Sequence, residues 1–364
     1  MKAATAPPTD APGEAGVELI EHLEPLREEW TRLAGEARNL FATWEFNELW
    51  WRHYGGGRNL RLGVSRDDGG SVDAIVPLFV WSQRPLRILR LLGHGHGDRL
   101  GPVCREDDAQ TSERSLRLAL EARPHDLFIG DWVSAEREWG RALRGRVVRT
   151  TGYPIMRFPG GSWEEFLGGL SHRFRKTARN RVNRLRRDHA VSYRYADAAT
   201  LEDDLDTAFR LHRARFGVHV GCNFCGDHEP FQREFARLAH ERGWLRLLLL
   251  ELDGEPVSCE YGFVFRDAYF AYQGGRDPAW DRYSVGFVVE LESVRRTLEE
   301  GAGEYRFLGG AETYKYRFPT EDPGLETVFA PASRRGSAAA VALEAAWRFP
   351  AGKALLRKIG SARA

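Results

Sequence analysis

The chain has 364 residues, of which 53 are Lys or Arg and 52 Asp or Glu, so its net charge of +1 carries no global field aimed at nucleic acid or an anionic membrane. With 42% hydrophobic and 12% aromatic residues it can bury more than one core, and its length fits about two domains. Four cysteines are too few for a secreted disulfide framework, and no apolar run reaches the about 18 residues needed to cross a bilayer.

Residues 1–16, rich in Ala, Pro, Thr and Gly without an apolar h-region, read as a disordered tail rather than a signal peptide, so a cytoplasmic protein is expected. A strand at 17–20 and a helix at 23–34 come next. An aromatic helix then opens at Phe41–Trp44 and carries Trp50, Trp51 and Tyr54. Strands at 60–65 and 72–81 flank Asp67-Asp-Gly-Gly70, a strong hairpin signal. A strand at 86–92 leads into the loop 93–102, where His94-Gly-His96-Gly-Asp98 reads as a turn between strands more readily than as metal ligands. A helix near 113–122 and a strand at 127–130 complete the order β-α-α-β-β-β-α-β, and a join between halves is expected near 159–162.

Ser171 is a suitable N-cap for a helix reaching Arg187, with Phe174, Ala178, Val182 and Leu185 on one stripe. Its other faces carry Arg173, Arg175, Lys176, Arg179, Arg181, Arg184, Arg186 and Arg187. That face is either solvated or grips a phosphate-bearing ligand, with Arg175 and Arg179, one turn apart, as candidates. The earlier order then recurs: strand 191–195, helices 201–216 and 231–242, strands 245–252, 257–265 and 268–273, helix 286–300, strand 304–308. The repeat is one of architecture, not of residues. A two-residue turn at Arg266-Asp267 sets 265 against 268 and Glu260 against Gln273, with a bulge expected after Gly274-Gly275. A helix entered through Ser284 and Gly286 offers free amides and a positive dipole end, which suits an anion. After Pro331 an Ala-rich helix and a basic segment over 348–359 are expected to pack on the second half rather than on a membrane surface.

His219-x-x-Cys222-x-x-Cys225-x-x-His228 has metal-like spacing. Structural zinc sites, however, draw on two separated ligand pairs. A loop between helices on the acceptor side is therefore the preferred reading, with zinc or redox use of the thiol pair as alternatives. His212 lies on the stripe of Leu205, Ala208, Phe209 and Phe216 and reads as a core histidine. No Ser/His/Asp order or Walker loop appears.

Residues 306–318, Arg-Phe-Leu-Gly-Gly-Ala-Glu-Thr-Tyr-Lys-Tyr-Arg-Phe, resemble a stretch of the CelD/BcsL-type acetyltransferases, a branch of the GNAT acyl-CoA N-acyltransferase superfamily. Their pattern runs roughly Asp-x-Leu-x-Gly-Asp-Glu-Pro-Tyr-Lys-x-x-Trp. Leu308, Gly310, Glu312, Tyr314 and Lys315 match it, whereas Arg306, Ala311, Thr313 and Phe318 depart. Over 17–330 the doubled order also resembles the tandem FemABX-like aminoacyltransferases. The resemblance implies a mixed-sheet α/β (α+β) tandem GNAT fold, with a degenerate N-terminal domain at 17–160, a cofactor-bearing domain at 161–330 and a helical tail at 331–364.

It further implies an acyl-CoA-dependent N-acyltransferase, acting directly on an amine of an amino sugar, nucleotide sugar, amino acid or peptide, in polysaccharide, envelope or natural-product synthesis. Acetyl-CoA or another acyl-CoA would be held at Arg282, Tyr283, Ser284, Val285 and Gly286. Glu260 is expected as base and Gln273 as the acceptor-orienting group. Tyr314 would be the acid toward the thiolate, with Lys315 lowering its pKa or holding a phosphate. Arg175, Arg179, His212, Arg215, Asp277 and Glu312 are expected on the acceptor side. Two rivals stand beside this reading. One is a FemABX-like transferase whose 173–187 helix binds aminoacyl-tRNA. The other is a non-catalytic tandem that binds a partner, to which Ala311 in place of the family's Asp points.

Overall fold

A computed structural model describes residues 16–348, apart from 83 and 219–221; the expected tail over 1–15, His219 and the basic segment beyond 348 lie outside the described residues. The chain runs β1 (Val17–Ile20), α1 (Arg27–Ala37), α2 (Trp44–Tyr54), β2 (Asn59–Arg66), β3 (Val72–Ser82), β4 (Ile88–Leu91), α3 (Ala109–Glu121), β5 (Leu127–Ser134), α4 (Trp139–Ala142) and β6 (Arg146–Thr151). It continues through β7 (Ile155–Arg157), α5 (Trp163–Gly169), α6 (His172–Asp188), β8 (Val191–Tyr195), α7 (Leu201–Phe216), α8 (Glu229–Glu241), β9 (Leu245–Leu252) and β10 (Glu255–Phe265). Last come β11 (Ala268–Arg276), α9 (Val285–Glu299), β12 (Glu304–Arg306), β13 (Leu325–Pro331) and α10 (Arg334–Arg348).

Local chemistry sets several boundaries. Thr43, rather than a residue at 41, starts the aromatic helix, because its hydroxyl accepts from Phe46 N at 3.3 Å. At the hairpin between β2 and β3, Asp67 Oδ1 accepts from the amides of Gly69 and Ser71, and Gly70 takes φ +83. Ser171 caps α6 by accepting from Phe174 N at 3.2 Å.

Two mixed sheets result, ordered β1-β2-β3-β4-β5-β13-β6 and β8-β9-β10-β11-β12-β7. In each, four antiparallel strands are followed by one parallel pair, β4 with β5 and β11 with β12, joined by a crossover through α3 or α9. The halves are thus pseudo-repeats of one mixed α/β unit. The sheets do not divide the chain at residue 160, because each borrows a strand from across that point. Strand β7 pairs with β12, and β13 inserts between β5 and β6. Helix α10 packs on β5 and β13 through Ala340, against Ile88, Leu127, Ile129 and Phe329, so it covers the first sheet, not the second half as expected.

One apolar core runs through both halves: Phe46 meets Phe231 and Phe235 with ring centroids 5.8 and 5.3 Å apart, and Phe41 meets Phe270 at 5.9 Å. Helices α5, α6 and α9 cover the opposite face of the second sheet, where Phe174 touches Phe287 and Phe318. Polar ties reinforce the junction, one of them buried. Arg306, 2% exposed, pairs with Glu304 and donates to Arg38 O at 3.0 Å and Glu106 Oε1 at 3.2 Å. Across the same junction Arg242 pairs with Glu45 at 2.9 Å and His53 with Glu234 at 2.7 Å.

Candidate active site

Strands β11 and β12 pair only over 268–270 and 304–306; thereafter β11 runs on to Arg276 while the chain leaves β12 through Leu308 at φ +59. The strand expected to reach 308 therefore ends at Arg306, and the two parallel strands part. On β10, Tyr261 and Phe263 join the core under α7 and α8, so Glu260, which alternates with them, faces α9.

Phe265 stands opposite Ala268, as the turn chemistry predicts, but the pairing shifts at Tyr261/Gly262. Gln273 consequently stands opposite Tyr261, and Glu260 opposite Gly274. The expected Glu260–Gln273 pair does not form, because the bulge lies before the glycine pair rather than after it. Gly262 admits the shift: a Cβ there would run into the Tyr269 ring and Phe270 O. Gly274 and Gly275 serve a different purpose. A Cβ on Gly275 would lie 2.7 Å from His212 N and 2.8 Å from Leu211 C, so α7 packs its backbone directly on this strand. A Cβ on Gly274 would lie 3.2 Å from both Arg215 Nη1 and Glu260 Oε2, so the bare glycine lets guanidinium and carboxylate approach from either side.

Glu260 is buried, and burial pushes its carboxyl up to about 8, while the Arg215 and Lys315 cations pull it back down. Glu290 on α9, which the sequence reading did not single out, is also buried. Burial and the nearby Glu260 carboxylate drive it well above the usual carboxylate range. Both carboxyls lack a hydrogen bond or ion pair among the described residues. Such groups are costly to bury and mark sites of proton handling. Tyr314 completes the cluster, with the Arg215 guanidinium 5.9 Å from its ring centroid. Burial, then Glu290 and Glu260, raise its phenol above its ordinary value, so it stays protonated; the expected lowering by Lys315 is not found.

Lys315 is turned the other way. Its Nζ donates to Leu308 O and Gly309 O at 3.1 Å each and pairs with Glu312 Oε2 at 2.9 Å, holding the turn that carries Tyr314. Lys315 and Glu312 therefore clamp the loop, and neither is free for a phosphate or an acceptor. Asp98, from the first half, enters the sequence reading only as a candidate ligand on the 93–102 loop, but it also reaches this turn. It accepts from Gly309 N at 2.7 Å on the same turn, and burial lifts it to about 6.

At the start of α9, Ser284 takes φ +57 and places no side chain on the helix amides, while Phe287 and Val288 N donate to Ser284 O. The amides of Val285 and Gly286 have no acceptor among the described residues. A Cβ on Gly286 would meet only Arg276 Cδ, at 3.3 Å. Free amides, a bare glycine and the Arg282 cation fit a pyrophosphate-bearing ligand such as acyl-CoA, while Arg276, beside Gly286, is already paired with Asp281 at 2.5 Å. Tyr283 is different: it is packed against Trp280 and His189 in the core.

Other expected residues are employed elsewhere. Asp277 accepts from Ala279 N at 2.9 Å and caps a turn. His212 is buried with Nδ1 3.3 Å from Gly274 O, on the strand position that faces Glu260. Arg175 donates to Gly168 O and Leu170 O, closing the end of α5. Arg179 is exposed in a groove between α5 and α6 with His172, Lys176 and Asn180. Cys222 and Cys225 are bonded to each other, so the alternative of a thiolate zinc knuckle does not form. No described helix is long and apolar enough to cross a membrane.

Residues 172–316 match the family model described as the acetyltransferase (GNAT) domain. Among solved structures the chain is similar to FemX, at 12% identity and a TM-score of 0.61, covering 84% of this chain and 96% of that one. It is also similar to a conserved protein of unknown function from Bacteroides thetaiotaomicron, at 15% identity and a TM-score of 0.57, covering 87% and 100% of the two chains. A third is the C-terminal domain of a putative lysylphosphatidylglycerol synthetase from Agrobacterium fabrum, at 10% identity and a TM-score of 0.55, covering 87% and 95%. These likenesses are of fold, and no curated protein matches the chain in sequence. The matched domain contains the parted strands, the open start of α9 and the buried carboxyls, and the chain is an acyltransferase with a GNAT domain in its second half.

Proposed function

We infer that the chain is an acyl-CoA-dependent N-acyltransferase of the CelD/BcsL type, moving an acetyl or longer acyl group directly to an amine of a small molecule. Acceptors of the expected class are an amino sugar, a nucleotide sugar, an amino acid or a peptide. The observation that carries this reading is the buried, hydrogen-bond-free Glu260 set against Arg215 beside the strand split.

An acyl-CoA, when bound, supplies the activated acyl group. Its phosphates would be held by the Val285 and Gly286 amides with Arg282. Glu260 takes the proton of the acceptor's ammonium and so frees the nitrogen lone pair; a carboxyl near 8 is matched to that task at neutral pH. Arg215 steadies the carboxylate that appears as Glu260 titrates. Tyr314, kept as a phenol, holds a proton at Oη for the leaving side. Asp98 and Lys315 fix the 308–310 turn between them.

A second reading is favoured by one feature, the exposed Arg173, Lys176, Arg179 and Arg186 along α6, and by the likeness to FemX: an aminoacyl-tRNA donor whose backbone lies on that helix. Calorimetric titration of acetyl-CoA and longer acyl-CoAs separates the two. Binding abolished by Gly286→Trp and retained by Tyr314→Phe is expected. Absence of binding to every acyl-CoA, together with salt-sensitive tRNA binding, would replace the first reading by the second.

A further inference from the structure

The loop 93–102 of the first half meets the turn preceding α8 of the second, and three side chains converge there. Tyr54 ends α2, His96 lies in the loop, and His228 immediately precedes α8. Tyr54 Oη lies 3.0 Å from His96 Nε2 and 3.4 Å from His228 Nδ1, and the two ring nitrogens are 3.1 Å apart. The three donor atoms thus form a nearly equilateral triangle. Hydrogen bonds use such a triangle poorly, because a hydrogen aimed along one edge points about 60° away from the third atom, well outside good alignment. A cation uses it well. Bonds of about 2.0–2.1 Å at tetrahedral angles put neighbouring ligand atoms about 3.3 Å apart.

The frame is stiff where a site needs stiffness. Tyr54 and His96 are buried and stacked, with ring centroids 4.6 Å apart, and Phe231 packs on both, at 5.5 and 4.9 Å. His228 is half-buried and next to the exposed Asp227, so the outer side of the triangle opens to solvent and a carboxylate. Among the described residues no three His, Cys, Asp or Glu side chains converge, so the phenol oxygen is what completes this set. Cys222 and Cys225, bonded to each other, take no part.

We propose that Tyr54, His96 and His228 form a binding site for a divalent cation of the zinc class, which ties α2 and the 93–102 loop of the first half to the start of α8 in the second. The site is independent of the acyl-transfer reading. Neutral imidazoles and a phenol oxygen suit Zn²⁺, with water or Asp227 in the fourth position.

The test uses the full chain, stripped with a chelator and desalted, titrated with Zn²⁺ by calorimetry and with Co²⁺ by visible absorption at neutral pH. One Zn²⁺ per chain, a tetrahedral Co²⁺ band and a melting temperature that rises with Zn²⁺ are expected. His228→Ala should abolish all three. Tyr54→Phe, which removes only the donor oxygen, should weaken binding about tenfold or more. The Cys222→Ser/Cys225→Ser pair should leave binding intact. Circular dichroism establishes that each variant is folded. Absence of stoichiometric binding by the unaltered chain, undiminished binding in His228→Ala, or loss of binding with the cysteine pair would each overturn the proposal.

Discussion

The two parallel-strand splits are the same fold feature put to opposite uses. In the first half, the ground beyond the β4/β5 pair is filled by charge that is already neutralised. Asp131 lies 3.3 Å from Arg90 and 3.2 Å from His94, and although burial pushes its carboxyl up, Arg90 and His94 outweigh this and hold it low. The crossover helix α3 is capped by its own anion, with Asp108 Oδ1 accepting from Thr111 N at 2.9 Å. In the second half the corresponding helix α9 has no side-chain cap, and among the described residues the carboxyls near the β11/β12 split stand without hydrogen bonds. Paired charge makes a strut, and buried carboxyls left without partners mark a candidate site.

The sharpest way to break this contrast is Glu260→Gln. If Glu260 is the base, kcat falls about 10²–10⁴-fold in a steady-state acyl-transfer assay. The same change should stabilise the fold at high pH. Glu260 is raised from 4.5 to about 8, so its penalty is absent below about pH 4.5, grows as pH rises toward 8 and then levels off. Full ionisation costs at most about 5 kcal/mol, at about 1.4 kcal/mol per pKa unit. Melting curves at pH 5 and pH 8.5 should therefore show the variant gaining on the parent only at the higher pH. An unchanged difference would remove Glu260 from the role.

Asp131→Asn probes the other half. It leaves Arg90, 13% exposed, without its counter-charge and should cost about 3 kcal/mol in denaturant unfolding, with kcat unchanged in the folded fraction. Ser284→Asp makes α9 resemble α3: a carboxylate at the helix start should weaken acyl-CoA binding about tenfold in calorimetry, with little effect on stability. The reverse change, Asp108→Ala, strips the cap from α3. About 1 kcal/mol of stability should be lost and acyl-CoA binding left as it was. Any gain in ligand binding there would mean that the first half retains a site.

Much of the architecture is legible from residue patterns, because alternating and helical periods, the Asp-Gly hairpin and the Ser171 cap are local signals. The strand exchange is not. Strand β7 has three residues, too few for a period, and the placement of β13 depends on contacts with residues almost two hundred positions earlier. The site was legible in part. Glu260, Tyr314 and Arg215 do come together, but the bulge at Tyr261/Gly262 is a packing effect of Tyr269 over a glycine, so the partner inferred from turn length was wrong by one residue. Lys315 looked available because its carbonyl partners are backbone, invisible in a side-chain pattern. Glu290 hid inside Phe287-Val-Val-Glu-Leu291. A lone carboxylate in an apolar helical run is the cue that would have found it.

The borrowed strands also bear on how such a chain can be inherited. A doubled unit joined end to end could be cut and reshuffled, each copy keeping its sheet whole. Here a break near residue 160 deprives the second sheet of β7 and the first of β13, so neither product holds a complete unit. The two copies are clasped like linked hands, and whatever change one accumulates must be accepted by the other. Separately produced fragments 16–160 and 161–348 should therefore regain a folded state only when mixed.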